Sequence, residues 1–407
     1  MSSLFRSKFL VLFLGIPLAL ASLTSVVIAS RSAVRDSGDF QYNRNHEGSV
    51  NFHDAMNSAQ CLIQGYNIYA PDVVQKFDLA CPYLPNSFIF FFPFVPLSLH
   101  LGKVLWLALN LLFTVLLSRQ ITALFWEKKY FFLVFALITC SAPWGTLIHF
   151  GQYTLWSLYF FLLAVKWDRE NRPMLSGLAI ALCLLKYVLT APLLLYFIIY
   201  RRSWKNVALA AGIHAVIFGI FCFYLKMSPW DLFLAPVRMG KAIDINQSGY
   251  LDLFKFWSRV LGGDALFPYL LSALLVAGAW IWLLFRQKGN DDLGLLALTV
   301  MAGLTVMYHN LYDYMGAIFP LVWALKRFPE QRGWMVAAVG IVALWVLYFS
   351  SHYFEFFSHM EGVRNFMNSD VSLIFESSLW YLGLGLLWVQ LKAAGSLTAN
   401  QSLKTKG

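Results

Sequence analysis

Apolar runs long enough to cross a lipid bilayer recur from one end of this 407-residue chain to the other. Because backbone amides inside a bilayer must be hydrogen-bonded within the protein, such runs are expected to be helices. A hydrocarbon core of roughly 30 Å then predicts an all-α polytopic membrane protein with about 12 transmembrane helices. The predicted spans are 9–29, 104–118, 130–143, 153–166, 174–187, 188–200, 206–225, 266–285, 293–308, 314–325, 334–351 and 372–391.

The composition supports a membrane protein over a soluble one. Charged residues make up 13% of the chain, whereas soluble proteins carry about 25%. The formal net charge of +10 raises the alternative of nucleic-acid binding. The basic residues, however, are dispersed in short loops and form no patch with interleaved aromatic side chains. We therefore predict a lipid bilayer as the surroundings and no nucleic-acid partner.

The distribution of charge between loops predicts the orientation. With the amino terminus in the cytoplasm, every loop on the cytoplasmic side is short and carries Lys or Arg, and most carboxylates lie outside. Counting 87–101 as a full crossing would invert this pattern. We interpret 87–101, which Pro93 and Pro96 interrupt, as a short or re-entrant segment. The prediction is a multi-pass protein of the plasma (inner) membrane with both termini cytoplasmic.

The predicted organisation is one integral membrane domain, 1–407. A large first outer loop, 30–103, carries short or re-entrant helices, and a second outer loop covers 226–265. Cys61 and Cys81 lie in the first loop, in a compartment that permits disulfides. They could form a disulfide or remain free thiols, because sequence spacing does not fix the geometry that a disulfide needs.

Polar side chains near the outer ends of the spans are candidates for chemistry. Asp39 and Asp54 in the first outer loop could each act as a general base, or could simply be solvated. His149 and Gln152 flank Gly151 just before a span. Free backbone N–H groups there could form an anion site, but a turn glycine is an alternative explanation.

Lys186 interrupts an apolar run near its outer end. A cation at the centre of a span costs roughly 3 kcal/mol on insertion scales, so it usually faces a cavity. The alternative is snorkelling to the interface. In a cavity it would suit the phosphate of a lipid carrier. His309 and Asp313 are spaced to share one side of a helix and could contact sugar hydroxyls, unless they form a polar turn in the aromatic belt.

No zinc-protease helix motif, paired CxxC, Walker loop or Gly-rich nucleotide fingerprint occurs in the sequence. Soluble nucleotide-sugar or ATP chemistry is therefore unsupported, and we expect no cofactor.

The motifs that remain occur in a characteristic order. They resemble those of the polytopic membrane glycosyltransferases of the C-type fold, and among these the polyprenyl-phosphate-mannose-dependent mannosyltransferases of glycosyltransferase family 87. The resemblance covers about the first half of the chain, and the second half matches mainly through His309 and Asp313. The matching motifs are Asp39-Phe40-Gln41-Tyr42, Gly65-Tyr66-Asn67-Ile68-Tyr69, Tyr83-Leu84-Pro85 with Pro93 following, Gly151-Gln152, and Leu185-Lys186-Tyr187 with Pro192 after it.

The resemblance implies a particular reaction. A mannose-like hexose would pass with inversion from a polyprenyl-phosphate-linked donor to a lipid-linked or glycan acceptor on the extracytoplasmic face, without a metal. The base would be an Asp of the first outer loop. Asp39 matches the Asp-Phe motif but lies 26 residues before Gly65, whereas Asp54 lies nearer with different flanking residues; we favour Asp39.

The resemblance also implies roles for the other candidates. Lys186 would bind the donor phosphate, and His309 would take part in catalysis. The residues expected to contact the substrate are Gln152, Tyr83, Asp313 and His149.

Two other functions fit parts of the sequence. A transporter or flippase of a lipid-linked or small solute would account for a lysine within a span, but it predicts further charges near mid-membrane. A non-catalytic membrane scaffold would fit if the outer polar residues lie far apart. Both alternatives predict that no sugar is covalently transferred.

Overall fold

The computed structural model describes residues 3–34, 49–77, 79, 83–242, 253–261, 266–286, 291–307, 310–331, 333–348 and 370–404. Within these ranges the regular structure is entirely helical, which confirms the all-α prediction. The α-helices are α1 (Ser3–Ala33), α2 (Val50–Ile63), α3 (Pro71–Phe77), α4 (Leu99–Phe125), α5 (Phe131–Thr139), α6 (Ala142–Phe150), α7 (Thr154–Arg169), α8 (Pro173–Cys183), α9 (Trp204–Leu225), α10 (Pro229–Ala242), α11 (Leu253–Leu261), α12 (Leu266–Arg286), α13 (Asp292–Val306), α14 (Ile318–Gln331), α15 (Trp334–Tyr348) and α16 (Asp370–Lys404).

The apolar helices give the chain its membrane character. By length and composition, α4, α9 and α12 could each cross a bilayer, and α5 with α6, bent by 66° at their junction, are either one broken span or a re-entrant loop. Shorter apolar helices cover Pro17–Ala33, Pro173–Lys186, Asp292–Val306 and Trp334–Leu347. These helices overlap predicted spans except for α6, most of which lies between the predicted spans 130–143 and 153–166, and the number of about 12 crossings stays a prediction.

The predicted span 130–143 is interrupted, because α5 ends at Thr139. The Ser141 hydroxyl accepts a hydrogen bond from the Trp144 N–H, and Pro143 lies in the first turn of α6. These are helix-starting residues, so the chain begins a new helix there and changes direction.

The segment predicted to be short or re-entrant is broken as expected. Two 3-10 helices, Pro85–Phe90 and Phe92–Phe94, precede α4, which starts at Leu99 rather than near 104. The Asn86 side chain bonds to His214 of α9, at 2.9 Å from Nδ1 and 3.2 Å from the carbonyl oxygen, while Tyr224 of the same helix bonds to Leu62. These two anchor points are separated by about 15 Å along α9. Asn86 therefore lies beside the middle of a candidate span, and the re-entrant course of this segment stays a prediction.

The chain divides into two compact units. Unit 1 comprises Met1–Trp156 and His214–Ile245, and unit 2 comprises Ser157–Ile213 and Asn246–Gly407. In unit 1, the fully buried Phe52 of α2 packs its ring against Phe91, Phe94 and Trp106, with centroid distances of 6.1, 5.4 and 4.9 Å. This aromatic cluster joins α2 to the broken segment and to α4.

In unit 2, the predicted span 188–200 is not a continuous helix. A 3-10 turn at Leu184–Lys186, one α-helical turn at Tyr187–Thr190 and a π-helix at Tyr196–Arg201 replace it. Pro192 lacks the N–H that would continue the helix. The Thr190 hydroxyl donates a hydrogen bond to the carbonyl oxygen of Lys186 at 2.9 Å, so this backbone carbonyl at the break has a hydrogen-bond partner. The break sets Lys186 at the end of α8.

The two ends of α13 differ in their surroundings. At its start, Asp292 accepts hydrogen bonds from Arg169 at 2.5 Å and from Tyr200 at 2.6 Å. Near its other end, Gly303 leaves space for Pro192, whose Cβ would lie 2.9 Å from an added Cβ. One end of α13 therefore meets an ionic network, and the other meets the broken segment that follows Lys186.

Candidate functional site

The first candidate base in the described part of the chain is Asp54. It lies in the middle of α2 and is only 4% exposed. Ser58 and Cys61 follow at the spacing that places them on the same side of the helix. Asp39, the favoured base, lies outside the described residues, so the choice between the two carboxylates stays open.

Gly151 follows the last residue of α6 and packs against the start of α2. Its φ is +69°, and its N–H and that of Gln152 donate to carbonyls of the last turn of α6, which closes the helix as in a Schellman motif. These two amides are therefore occupied, which favours the turn-glycine reading over an anion site. An added Cβ would lie 2.9 Å from the Cβ atoms of Phe52 and Ser49. The Ser49 N–H donates to the His149 carbonyl at 2.6 Å.

We predict that Gly151→Ala destabilises the protein. The left-handed backbone costs an alanine about 1–2 kcal/mol, and overpacking against α2 adds about 1–3 kcal/mol. The melting temperature of the purified protein in detergent should fall clearly. Gly219→Ala in α9 is the matched control, because nothing lies within 4 Å of its added Cβ. An equal melting temperature for both variants would contradict this account of Gly151.

The structure brings together Gln152 and Tyr83, two residues predicted to contact the substrate. Gln152 is buried, and its side-chain amide donates to the Tyr83 hydroxyl at 3.0 Å. The Tyr69 hydroxyl donates to the Tyr83 carbonyl at 2.5 Å. His149 lies on α6 and contacts the Ser32 hydroxyl through Nδ1 at 2.5 Å. The Gly-x-x-x-Tyr, Tyr-Leu-Pro and Gly-Gln motifs therefore meet within unit 1.

In unit 2, Lys186 forms a buried ion pair with Asp313. The ammonium nitrogen lies 3.0 Å from the carboxylate Oδ1, and the two residues are 5% and 3% exposed. The same nitrogen lies 4.4 Å from the centroid of the Tyr312 ring, within range of a cation–π interaction. Lys186 thus has the partner that a cation in an apolar run requires, and it does not simply snorkel.

The segment after α13 holds Asp313 in place. Its Oδ2 accepts the Asn310 N–H at 3.2 Å, in a capping box that starts the 3-10 helix Leu311–Ala317. The Asn310 amide donates to the Tyr312 hydroxyl at 2.6 Å. The sequence had suggested His309 as the neighbour of Asp313. His309 lies outside the described residues, so that contact stays a prediction.

Sequence reasoning missed two buried polar features. Lys103, in the first turns of α4, is only 1% exposed, and the rule that singled out Lys186 applies to it equally. Asn86 is also buried against His214, and its side-chain oxygen has no hydrogen-bond partner among the residues that can be described. The sequence feature that could have revealed this contact was His214, a histidine within the predicted span 206–225.

The predicted disulfide stays open. Cys61 is a buried free thiol, whereas Cys81 falls in a part of the chain that is not described. Burial raises the pKa of the Cys61 thiol, with Lys76 opposing the shift. A raised pKa leaves less of the thiolate that disulfide exchange requires. No group of three potential metal ligands occurs within the described ranges, and metal independence stays a prediction.

Comparison with known proteins identifies a family. A family model described as glycosyltransferase family 87 matches residues 82–309, which is more than half of the chain. The match spans Tyr83, Gln152 and Lys186. Searches of curated proteins and of solved structures give no match.

Proposed function

This chain belongs to glycosyltransferase family 87, and on that premise we propose that it transfers a mannose-like hexose from a polyprenyl-phosphate donor. The acceptor would be a lipid-linked or glycan hydroxyl. Transfer would take place with inversion at the extracytoplasmic face of the plasma membrane, and no metal would be needed.

The observation that carries this proposal is the buried Lys186–Asp313 pair. Taking two charges out of water is expensive, and replacing such a pair by apolar residues is often neutral or stabilising. A contribution to protein stability therefore does not explain why this ion pair is buried, whereas binding of an anion from the membrane would explain it. The ammonium carries three N–H donors, and a phosphate oxygen could join the Asp313 carboxylate around it.

The chemistry explains why a cation is useful at that position. The acceptor oxygen forms a bond to the anomeric carbon while the bond from that carbon to the phosphate oxygen breaks. The bonding electrons leave with the phosphate, so the polyprenyl phosphate gains one negative charge. A fixed cation stabilises this charge more in the transition state than in the bound donor, and such interactions accelerate the reaction.

The remaining proton belongs to the acceptor hydroxyl. A carboxylate of the first outer loop would remove it, and we assign this role to Asp39 ahead of Asp54. Support for this choice comes from the Asp-Phe motif and from the burial of Asp54 in α2. The Tyr83–Gln152 pair would contact the sugar or the acceptor.

Donor profiling tests the proposal. The purified full-length chain in nanodiscs would be incubated with polyprenyl-phosphate mannose, glucose or galactose, with the corresponding nucleotide sugars, and with a panel of alkyl glycoside acceptors. We expect transfer from polyprenyl-phosphate mannose and an anomeric configuration opposite to that of the donor. Use of a nucleotide sugar in the absence of lipid donor, or retention of configuration, would refute the proposal. Uptake of a donor into proteoliposomes without transfer would favour a flippase instead.

A further inference from the structure

Unit 2 contains an apolar cavity of about 380 Å³ among α11, α12, α13 and α16. Trp280, Leu298 and Trp388 are among its lining residues. The volume exceeds the roughly 150 Å³ of an engineered cavity that stays dry and binds benzene. Hydrocarbon is therefore a more suitable occupant than water.

The cavity opens towards a surface that would face lipid. Leu275 lines the cavity and is nevertheless 66% exposed. It lies in α12, a candidate span with only 11% of its most apolar window buried. A lipid chain could enter from the bilayer without any rearrangement of the helices.

Two cations lie against a pair of tryptophans, Trp282 and Trp388, of which Trp388 lines the cavity. The Arg286 guanidinium lies 5.6 Å from the Trp282 ring centroid, and the Lys392 ammonium lies 5.7 Å from the same ring and 5.2 Å from that of Trp388. The two indole rings are 5.9 Å apart. Trp388 thus contacts both the cavity and a cation.

These polar groups have spare binding capacity. Neither Arg286 nor Lys392 forms a salt bridge with any carboxylate that the structure describes. The buried indole N–H of Trp388 likewise has no hydrogen-bond partner in the described ranges. An unsatisfied buried donor is costly and calls for an explanation. A ligand that presents negatively charged oxygens above a hydrocarbon chain would pair with both cations.

The cations and Lys186 lie at opposite ends of α13. Leu391, next to Lys392, contacts α13 at Gly294, where an added Cβ would lie 2.6 Å from its Cδ2. The broken segment that follows Lys186 contacts α13 at Gly303. These contact points are about 14 Å apart along the helix. The two cations therefore lie at the end of α13 away from Lys186, whereas the cavity extends along α13 as far as Ala302, beside Gly303.

We propose that this cavity binds one anionic glycerophospholipid of the cytoplasmic leaflet, with its phosphate between Arg286 and Lys392 and an acyl chain among Trp280, Leu298 and Trp388. Basic pockets between transmembrane helices on the cytoplasmic side bind anionic headgroups. The positive-inside rule assigns the end of α12 at Arg286 to that side. The lipid would link α12 to α16 and would not be consumed in sugar transfer.

Lipid-dependent thermal stability tests the site. The full-length protein in detergent would be titrated with dioleoyl phosphatidylglycerol, with dioleoyl phosphatidylcholine and with inorganic phosphate. We expect the melting temperature to rise with phosphatidylglycerol only. Arg286→Gln/Lys392→Gln should weaken the apparent affinity about 30-fold, as expected for two cations near a membrane phosphate. Equal effects of the two lipids, a response to phosphate alone, or an unchanged affinity of the double variant would overturn the proposal.

Two glycine variants test the chain pocket. Gly385 lines the cavity and has nothing within 4 Å of an added Cβ, so Gly385→Leu would add apolar volume at the cavity wall from a position where the Cβ meets no neighbour. Gly278→Leu in α12 is the matched control, because it has equal space but is not among the lining residues. Only Gly385→Leu should abolish the phosphatidylglycerol response. If Gly385→Leu instead raised the KM for polyprenyl-phosphate sugar at constant lipid composition, the cavity would be part of the donor site and the proposal would be wrong.

Discussion

Lys186→Met is expected to lower kcat/KM for sugar transfer by at least about 10²-fold, the loss seen when one group that stabilises developing charge is removed. The cause is the missing cation at the departing phosphate. The variant should also be less stable by about 3–5 kcal/mol, because Asp313 would remain as a buried charge without its partner. Steady-state kinetics and the melting temperature in detergent measure the two effects separately.

A second variant separates the loss of activity from the loss of stability. In Lys186→Met/Asp313→Leu both buried charges are replaced by apolar side chains, which is often neutral or stabilising. We expect this double variant to recover the melting temperature of the wild type but not its activity. Recovery of both would show that the pair is structural and would remove Lys186 from the mechanism.

Arg238→Gln provides the matched control for removing a salt bridge. Arg238 lies 3.3 Å from Asp231, but both side chains are more than half exposed. Exposed pairs contribute about 0–1 kcal/mol. Activity and melting temperature should therefore stay close to those of the wild type.

The sequence located Lys186 but not its partner. A cation in an apolar run is visible without a structure, because charge is rare and costly there. Asp313 lies 127 residues further along the chain, and no local spacing connects the two. The helical spacing instead pointed to His309. Lys103 was overlooked because the predicted span began at 104, whereas α4 begins at Leu99 and includes Lys103.

The fold was predictable where hydropathy alone decides it. The helices α9 and α12 follow their predicted spans, and α4 contains its predicted span and extends beyond both ends, because each is one long apolar run. Hydropathy did not predict the bend at Ser141 and Pro143, or the broken helix around Pro192, because these changes of direction depend on capping residues and missing N–H groups. These breaks fix the orientation of the Gln152 and Lys186 segments, so the site is less predictable than the helices.

The choice of base is the other prediction with a large expected effect. Asp39→Asn should lower kcat by about 10²–10⁴-fold, the usual contribution of a general base. The KM for the polyprenyl-phosphate donor should change little, because the donor phosphate is bound elsewhere. Asp54→Asn preserves the shape of a buried side chain and should reduce kcat by less than tenfold if Asp54 only stabilises α2.

The pH dependence separates catalysis from folding. A base must be deprotonated, so kcat/KM of the wild type should rise with pH through the pKa of the base and then level off. In Asp39→Asn the residual activity should lose this rise, whereas in Asp54→Asn the rise should remain at any level of activity. If the rise disappears in Asp54→Asn instead, the base is Asp54, which would have to become accessible from its buried position in α2. If it persists in both variants, neither Asp39 nor Asp54 takes the proton.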